Sequence, residues 1–356
     1  MIETNGTCRS VGEYTKHATI GVGTYGRVYL ASRKNARELV ALKRIILHNE
    51  KDDGFPITSL RELACLKRCA GHPNVVALRD VVVGNNNGVF LVFEYAEHDL
   101  AQILDAAPSS SSARSPFSES EVKCLTYQLL SGLAHMHSLW LLHRDIKLSN
   151  LLYTNTGQLK IADFGLARTH GDGLLTQRVV TLWYRAPELL LGEESYTNAV
   201  DVWSSGCVLA ELLLGRPLLP GRDEADQLSL IFGLLGAPTA RIWPGVASLP
   251  LVRSGAVSLA REQQRHPYND LESVFPPPRR SSSSSSSSAT AAASSPQLDM
   301  LNALLCLAPE KRLSCQSALR HDYFFCSPHP KEVALMPSFP LPRELQDIVT
   351  ALRRRA

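Results

Sequence analysis

Gly21–Val28 reads GVGTYGRV, and it lies between two strand-like stretches. A G-x-G-x-x-G string by itself fits either a dinucleotide fingerprint or a plain hairpin. The dinucleotide version must open a helix, whereas here the chain continues as RVYLASR (Arg27–Arg33), a strand pattern. The reading is therefore a glycine-rich hairpin whose backbone N–H groups close over phosphates. Seventeen residues past Gly26, VALK puts Lys43 on the following strand. Taken alone, such a lysine reads equally well as a solvated strand residue.

Outward from the hairpin the pattern stays strand-rich from Tyr14 to about Phe93. ELVALKRIIL (Glu38–Leu47) and GVFLVFEY (Gly88–Tyr95) carry the β-branched and aromatic residues of strands. One helix interrupts them in GFPITSLREL (Gly54–Leu63), where Pro56 suits a first helical position. Arg61 and Glu62 are neighbours on that helix, so their side chains point about 100° apart and cannot serve one site together. Phe55, Ile57, Leu60 and Leu63 exceed what a single core stripe needs; they pack on the sheet or face a partner. After Asp99 the periodicity turns helical, over Glu119–His137, Asn198–Leu214, Asp226–Leu235 and Gln297–Leu307. A small β-rich lobe followed by a larger α-helical lobe is an α+β plan.

Two stretches cannot bury apolar area and read as disordered loops, Ala106–Pro116 and Pro276–Pro296. The eight-serine run from Ser281 reads as an insertion between helices, either an inert spacer or a cluster of phosphorylation sites. The chain has 356 residues, 44% hydrophobic and 20% charged, with a formal net charge of +3. That mild charge argues against a nucleic-acid or membrane surface. MIETNGTCRS has neither a basic n-region nor an apolar h-region, so no secretory signal is expected. Cys124–Leu142 is uncharged over spanning length, but Gln128, Ser131, His135 and His137 suit a bilayer poorly. Leu125, Leu129, Leu133 and Met136 recur at helical spacing, as in a buried amphipathic helix. The eight cysteines are scattered with no Cys-x-x-Cys, which points away from zinc and disulfides and towards a reducing, intracellular compartment.

Further along come HRDIKLSN (His143–Asn150), DFG (Asp163–Gly165) and APE (Ala186–Glu188). Each string is short, but with the glycine hairpin they form an ordered set. On these residues the chain resembles the eukaryotic protein kinases, from about Tyr14 to Phe325. The resemblance implies the bilobal protein-kinase fold over residues 14–325, with an N-lobe 14–96, a C-lobe 97–325 and the Ser-rich insertion 276–296 inside the latter. Residues 1–13 would be an N-terminal extension and 326–356 a C-terminal tail.

The family implies ATP and Mg²⁺. Ile20, Gly21, Val22, Gly23, Thr24, Tyr25, Gly26, Arg27 and Val28 would cover the nucleotide, with Val28 and Ala41 sandwiching adenine. Glu94, Tyr95 and Ala96 would form the adenine hinge with Phe93 behind it, and Asp99 would complete the nucleotide site. Lys43 would grip the α- and β-phosphates while paired with Glu62. Asn150 and Asp163 would hold Mg²⁺, Asp145 would accept the substrate hydroxyl proton, and Lys147 would stabilise the γ-phosphate, as in serine/threonine kinases. Asp201 and Arg312 resemble scaffold partners of the catalytic loop and of Glu188. His143 reads as a packing and hydrogen-bonding residue, Trp183 and Tyr184 as core. Phosphorylation at Thr24 or Tyr25 would set charge against the phosphates of ATP and inhibit.

PITSLRE is similar to the signature helix of the cyclin-dependent kinase family. Within it CRSVGEY, YAEHDL, TLWYRAPELLLG, HPYNDLESVFP and LMPSFP match best the branch of kinases ten and eleven, leaning to ten. That implies a cyclin bound at Phe55, Pro56, Ile57 and Leu60, with Glu62 turned to Lys43 and Arg61 to the activation loop. It also implies an upstream kinase acting on Thr176, whose phosphate Arg61, Arg144 and Arg168 would hold, while the Thr181 hydroxyl contacts the catalytic loop. Val179 and Val180 would receive the proline of Ser/Thr-Pro protein substrates. The expected activity is Ser/Thr phosphorylation in cell-cycle or transcriptional control, in nucleus and cytoplasm; the alternative is a catalytically weak cyclin-binding scaffold. Val22 stands where the family has an acidic residue, and Leu148-Ser149 where it has Pro-Glu.

Overall fold

The computed structural model describes residues 8–23, 26–34, 38–45, 57–84, 88–107, 115–169, 181–276 and 295–354. The chain divides into two compact units: residues 1–103, 149–168 and 333–356 form the first, and 104–148 with 169–332 the second.

In the first unit, β1 (Arg9–Ser10), β2 (Tyr14–Gly23), β3 (Gly26–Arg33), β4 (Leu39–Arg44), β5 (Leu78–Val83) and β6 (Val89–Glu94) build a six-stranded sheet in the order β1-β5-β6-β4-β3-β2. The glycine stretch is the expected hairpin: β2 and β3 pair antiparallel with Gly21 opposite Val28 and Gly23 opposite Gly26. Successive side chains on a strand point to opposite faces. On β4 this sends Val40 and Leu42 into a core with Tyr14, Ala31, Val82, Phe90 and Val92, and leaves Ala41 and Lys43 together on the other face. The helix α1 (Ile57–Arg68) packs on the turn Phe164–Leu166. A second sheet joins β7 (His98–Asp99) to a hairpin, in the order β10-β9-β7; β8 (Leu141–Leu142) lies outside it, and β9 (Leu151–Tyr153) and β10 (Leu159–Ile161) are the hairpin strands. The short helix α2 (Leu100–Asp105) follows β7 directly.

The second unit is helical. Its centre is α5 (Ala199–Leu214), buried along almost its whole length, against which α3 (Glu119–Ser138) and the helix Pro296–Leu304 pack. Ser118 opens α3, its backbone N–H donating to Glu121 Oε2 at 2.8 Å, a helix-start pairing. Gly215 ends α5 at φ 68° and donates to the Glu211 carbonyl at 2.8 Å, a conformation that glycine adopts without a Cβ penalty. Between them lie α4 (Pro187–Leu190) and, beyond α5, α6 (Glu224–Leu235), which starts two residues before the periodicity suggested because Asp223 Oδ1 accepts from Asp226 N at 2.9 Å. The last core helix starts at Pro296, capped by Ser295, so those two residues belong to it rather than to the serine-rich insertion. It ends at Leu304, short of the expected Leu307. Residues 277–294 of that insertion, and residues 108–114 of the first serine-rich stretch, lie outside the described residues. Among the described residues no helix is long and apolar enough to cross a membrane.

Candidate active site

The first unit carries the groups expected to hold a nucleotide. On α1 the buried residues are Glu62, Cys65 and Leu66, an i, i+3, i+4 stripe, so Glu62 turns inward while Arg61 beside it is exposed. Lys43 Nζ lies 2.7 Å from Glu62 Oε1 and 3.3 Å from Asp163 Oδ1. Burial alone would depress the lysine; the Glu62 and Asp163 carboxylates overcome it and hold Lys43 charged above its ordinary value. Asp163 itself sits in the left-handed region at φ 62°, a conformation that costs a non-glycine residue energy and is held here by the buried Phe164 turn.

Ala162 N donates to the Asn150 carbonyl at 2.9 Å, so the two ends of the β9–β10 hairpin are closed beside Asn150 and Asp163. Phe93 is buried at the end of β6. Glu94, expected at the hinge, has two partners: its Oε1 accepts from Ala77 N at 2.7 Å and pairs with Lys160 Nζ at 3.1 Å. Tyr95 and Ala96 follow it, half-buried. Asp99 Oδ1 accepts from Gln102 N at 2.9 Å at the start of α2. Ile20, Gly21, Val28 and Ala41 are half-buried, Gly26 is buried, and Val22 and Arg27 are exposed.

The second unit carries the groups expected to take part in proton transfer. Asp145 Oδ2 lies 2.8 Å from Lys147 Nζ, and Oδ1 accepts from the Thr181 hydroxyl at 3.2 Å and backbone N–H at 3.3 Å. Lys147 also donates to Thr181 Oγ1 at 2.9 Å. The loop that presents them is held from beneath by Asp201 on α5, whose carboxylate accepts from His143 N (2.9 Å), Arg144 N (2.8 Å) and His137 Nε2 (3.0 Å). Burial would raise Asp201, but the hydrogen bond from His137, its charge and the backbone donors hold it below the usual carboxylate range. His143 is fully buried and accepts from Asp145 N at 3.2 Å, the supporting role expected of it. Glu188 and Arg312 form a buried fork with N–O distances of 2.7 and 2.9 Å.

One reading changes. Trp183, expected in the core, is 40% exposed and is pinned through Nε1 to the Gly221 carbonyl at 3.0 Å, whereas Tyr184 is buried with its hydroxyl on Glu211 at 2.7 Å. Arg144 is buried and donates to the Tyr196 hydroxyl at 2.6 Å, a partner with no signal in the sequence. Arg168 donates to the Ala167 carbonyl at 2.9 Å. Thr24, Tyr25, Phe55, Pro56, Thr176, Val179 and Val180 lie outside the described residues. All eight cysteines are free thiols.

Comparison with known proteins agrees with this geometry. The protein kinase domain family matches residues 14–324. The cyclin-dependent kinase 10 of Homo sapiens is 47% identical over 94% of this chain and 86% of its own length. The cyclin-dependent kinase G-2 of Oryza sativa subsp. indica is 47% identical over 95% of this chain and 45% of its own length. For the cyclin-dependent kinase G1 of Arabidopsis thaliana the figures are 46%, 93% and 52%, so this chain spans about half the length of the plant relatives. The chain belongs to the protein kinase family, in its cyclin-dependent branch. Its likeness within that branch is to the kinase-10 type and the plant G type.

Proposed function

We propose that this chain is a cyclin-dependent serine/threonine protein kinase that transfers the γ-phosphate of ATP to Ser or Thr followed by Pro in protein substrates. The observation that carries the reading is the formed cluster of Lys43, Glu62 and Asp163, with Nζ–O distances of 2.7 and 3.3 Å. In this reading Lys43 binds the α- and β-phosphates, and Glu62 keeps it from swinging away. The donors suit Mg²⁺: Asp163 offers a carboxylate oxygen and Asn150 an amide oxygen, both hard ligands, and Ala162, next to Asp163, donates its backbone N–H to the Asn150 carbonyl. When bound, the cation offsets the negative charge that builds on the phosphoryl group in transfer. Asp145 orients the substrate hydroxyl and takes its proton as the oxygen attacks, and Lys147 neutralises charge on the γ-phosphate.

Val179 and Val180 are proposed as an apolar pocket that leaves an N–H unsatisfied, so proline, which has none, fits best after the phosphoacceptor. Ile57 and Leu60 are proposed to face the cyclin, with Phe55 and Pro56 beside them in the sequence. Thr176 is the proposed target of an upstream kinase, with Arg61, Arg144 and Arg168 as proposed ligands of its phosphate; Thr24 and Tyr25 are the proposed inhibitory sites. Cell-cycle or transcriptional control in nucleus and cytoplasm is the setting this branch suggests, and eight free thiols suit a reducing compartment. A cyclin-binding scaffold without transfer is disfavoured, because Lys43, Asp145 and Asp163 are all present and hold their ion pairs. The test is to assay the purified chain with and without a cyclin on a Ser-Pro peptide library. Cyclin-stimulated transfer that falls when the proline becomes alanine supports the reading; no transfer under any condition overturns it.

A further inference from the structure

The C-terminal segment Val333–Phe339 returns to the nucleotide-bearing unit and takes hold of two of its strands. Asn155, in the turn of the β9–β10 hairpin, grips Phe339 twice: Nδ2 donates to the Phe339 carbonyl at 3.1 Å, and Oδ1 accepts from Phe339 N at 2.9 Å. His98 Nε2 donates to the same carbonyl at 3.1 Å, and the Tyr153 hydroxyl donates to the Pro337 carbonyl. The Phe339 ring meets His98 and Tyr153 edge-on, with centroids 6.2 and 5.8 Å away. These two residues are cross-strand partners, His98 on β7 and Tyr153 on β9, so one ring closes over the seam between the strands. Asn155 N donates in addition to Glu97 Oε2 at 3.1 Å, tying the hairpin turn to the residue before β7.

Gly157 shows how closely the segment is seated. Its φ is +83°, and a Cβ there would stand 2.1 Å from the Val333 carbonyl oxygen and 2.6 Å from Met336 Cβ. The strands so joined carry the nucleotide groups. Asp99 is on β7, opposite Leu152 of β9, and the hairpin has Asn150 before its first strand and Asp163 after its second. A shift at the hairpin turn is passed to the groups at both its ends through the paired strands β9 and β10 and the Ala162–Asn150 backbone bond that closes them.

We infer that Val333–Phe339 is a positioning strap for the nucleotide half of the site, with Phe339 and Asn155 acting through β7 and the β9–β10 hairpin to set Asp99, Asn150 and Asp163 for Mg·ATP. The inference rests on the nucleotide reading of this unit. A segment serving only stability would change the amount of folded enzyme and leave the KM for ATP alone; a positioning strap changes that KM.

The experiment uses the full chain with its activating cyclin, measuring KM for Mg·ATP and kcat at fixed peptide. Phe339→Ala and Asn155→Ala are expected to raise KM about 5–10-fold with kcat at saturating ATP within about twofold. Phe339→Tyr, which keeps the ring and the backbone clamp, should restore the wild-type KM. Leu335→Ala, at a residue 62% exposed, should leave both constants unchanged. Coupling is reciprocal, so Mg·ADP added to the wild-type chain should slow amide hydrogen exchange at Phe339 and Asn155, a readout that needs no variant to fold. Unchanged KM in both alanine variants, a fall in kcat alone, or exchange indifferent to Mg·ADP would each overturn the strap. A wild-type chain that binds no Mg·ATP, with Lys43→Met no different, would instead overturn the nucleotide reading beneath it.

Discussion

At Asp145 two oxygens serve two neighbours: Oδ2 faces Lys147, and Oδ1 takes both donors of Thr181. The carboxylate is thus aimed before any substrate arrives, as preorganised catalysis requires. Asp145→Asn keeps the shape and removes the proposed base. It should lower the phosphate-transfer rate on the order of 10²–10⁴-fold, while Mg·ATP binding, measured by calorimetry, stays within about twofold because the proposed role of the aspartate is on the acceptor. Wild-type turnover in this variant would remove Asp145 from the mechanism.

A second carboxylate, Glu211 on α5, is pushed up to about 7 by burial, with the nearby Asp105 charge adding to it and the Tyr184 hydrogen bond opposing. Its folded value is raised above the unfolded one, so its stabilising contribution is complete below pH 4.5 and is lost as pH rises through about 7. The loss is about 3–4 kcal/mol, from 1.36 kcal/mol per pH unit of displacement. Glu211→Gln, neutral at every pH, should flatten this decline when denaturation midpoints are compared at about pH 5 and pH 8. An unchanged slope between the two would show that Glu211 does not titrate in that window.

At the scale of elements, α1 shows how one helix serves two surfaces. Its inner stripe of Glu62, Cys65 and Leu66 is buried, and its outer face leaves Ile57 60% and Leu60 52% exposed. Apolar side chains left in water on the helix that holds Glu62 fit a partner that reads and sets that helix. Ile57→Glu with Leu60→Glu should leave the chain's own thermal stability within about 0.5 kcal/mol, the usual range for surface changes. The same double variant should abolish cyclin binding in a pull-down with purified cyclin and, with it, the stimulated activity. Full stimulation by cyclin would place the partner elsewhere.

Across the whole chain, long-range polar ties decide which segments belong together. In the second unit Arg312 stacks on Trp203 at 5.1 Å, forks onto Glu188 and donates to the carbonyls of Ala199, Cys306 and Leu307. Cutting it to alanine strands a buried carboxylate. Arg312→Ala should cost roughly 3–5 kcal/mol, out of a total near 5–15 kcal/mol for a folded domain. Chemical denaturation should show the midpoint falling sharply; a loss below about 1 kcal/mol would mean that Glu188 finds other partners or protonates.

Much of this protein was written in short range. The glycine hairpin, the lysine on β4, HRD through Asn150, DFG and the inner stripe of α1 each occupy a few consecutive residues, and strand or helix period alone assigns their faces. The protein-kinase resemblance that these strings carry is why Lys43, Glu62 and Asp163 could be named together, and both carboxylates stand 2.7–3.3 Å from Lys43 Nζ. Periodicity reports that a face is buried, but not against what. Only the tertiary structure decided that Trp183 would be tied at its edge and left in water, that Arg144 would meet Tyr196, and that Glu94 would pair with Lys160. A further such decision joins Asn155 to Phe339 across 184 residues of chain. Asn155 reads as a turn residue and Phe339 as part of a proline-rich tail, and no local pattern links them. Their pairing comes from the return of the chain over Gly157, where the lack of a Cβ lets the tail approach, and from buried polar groups that must find partners wherever the fold brings them.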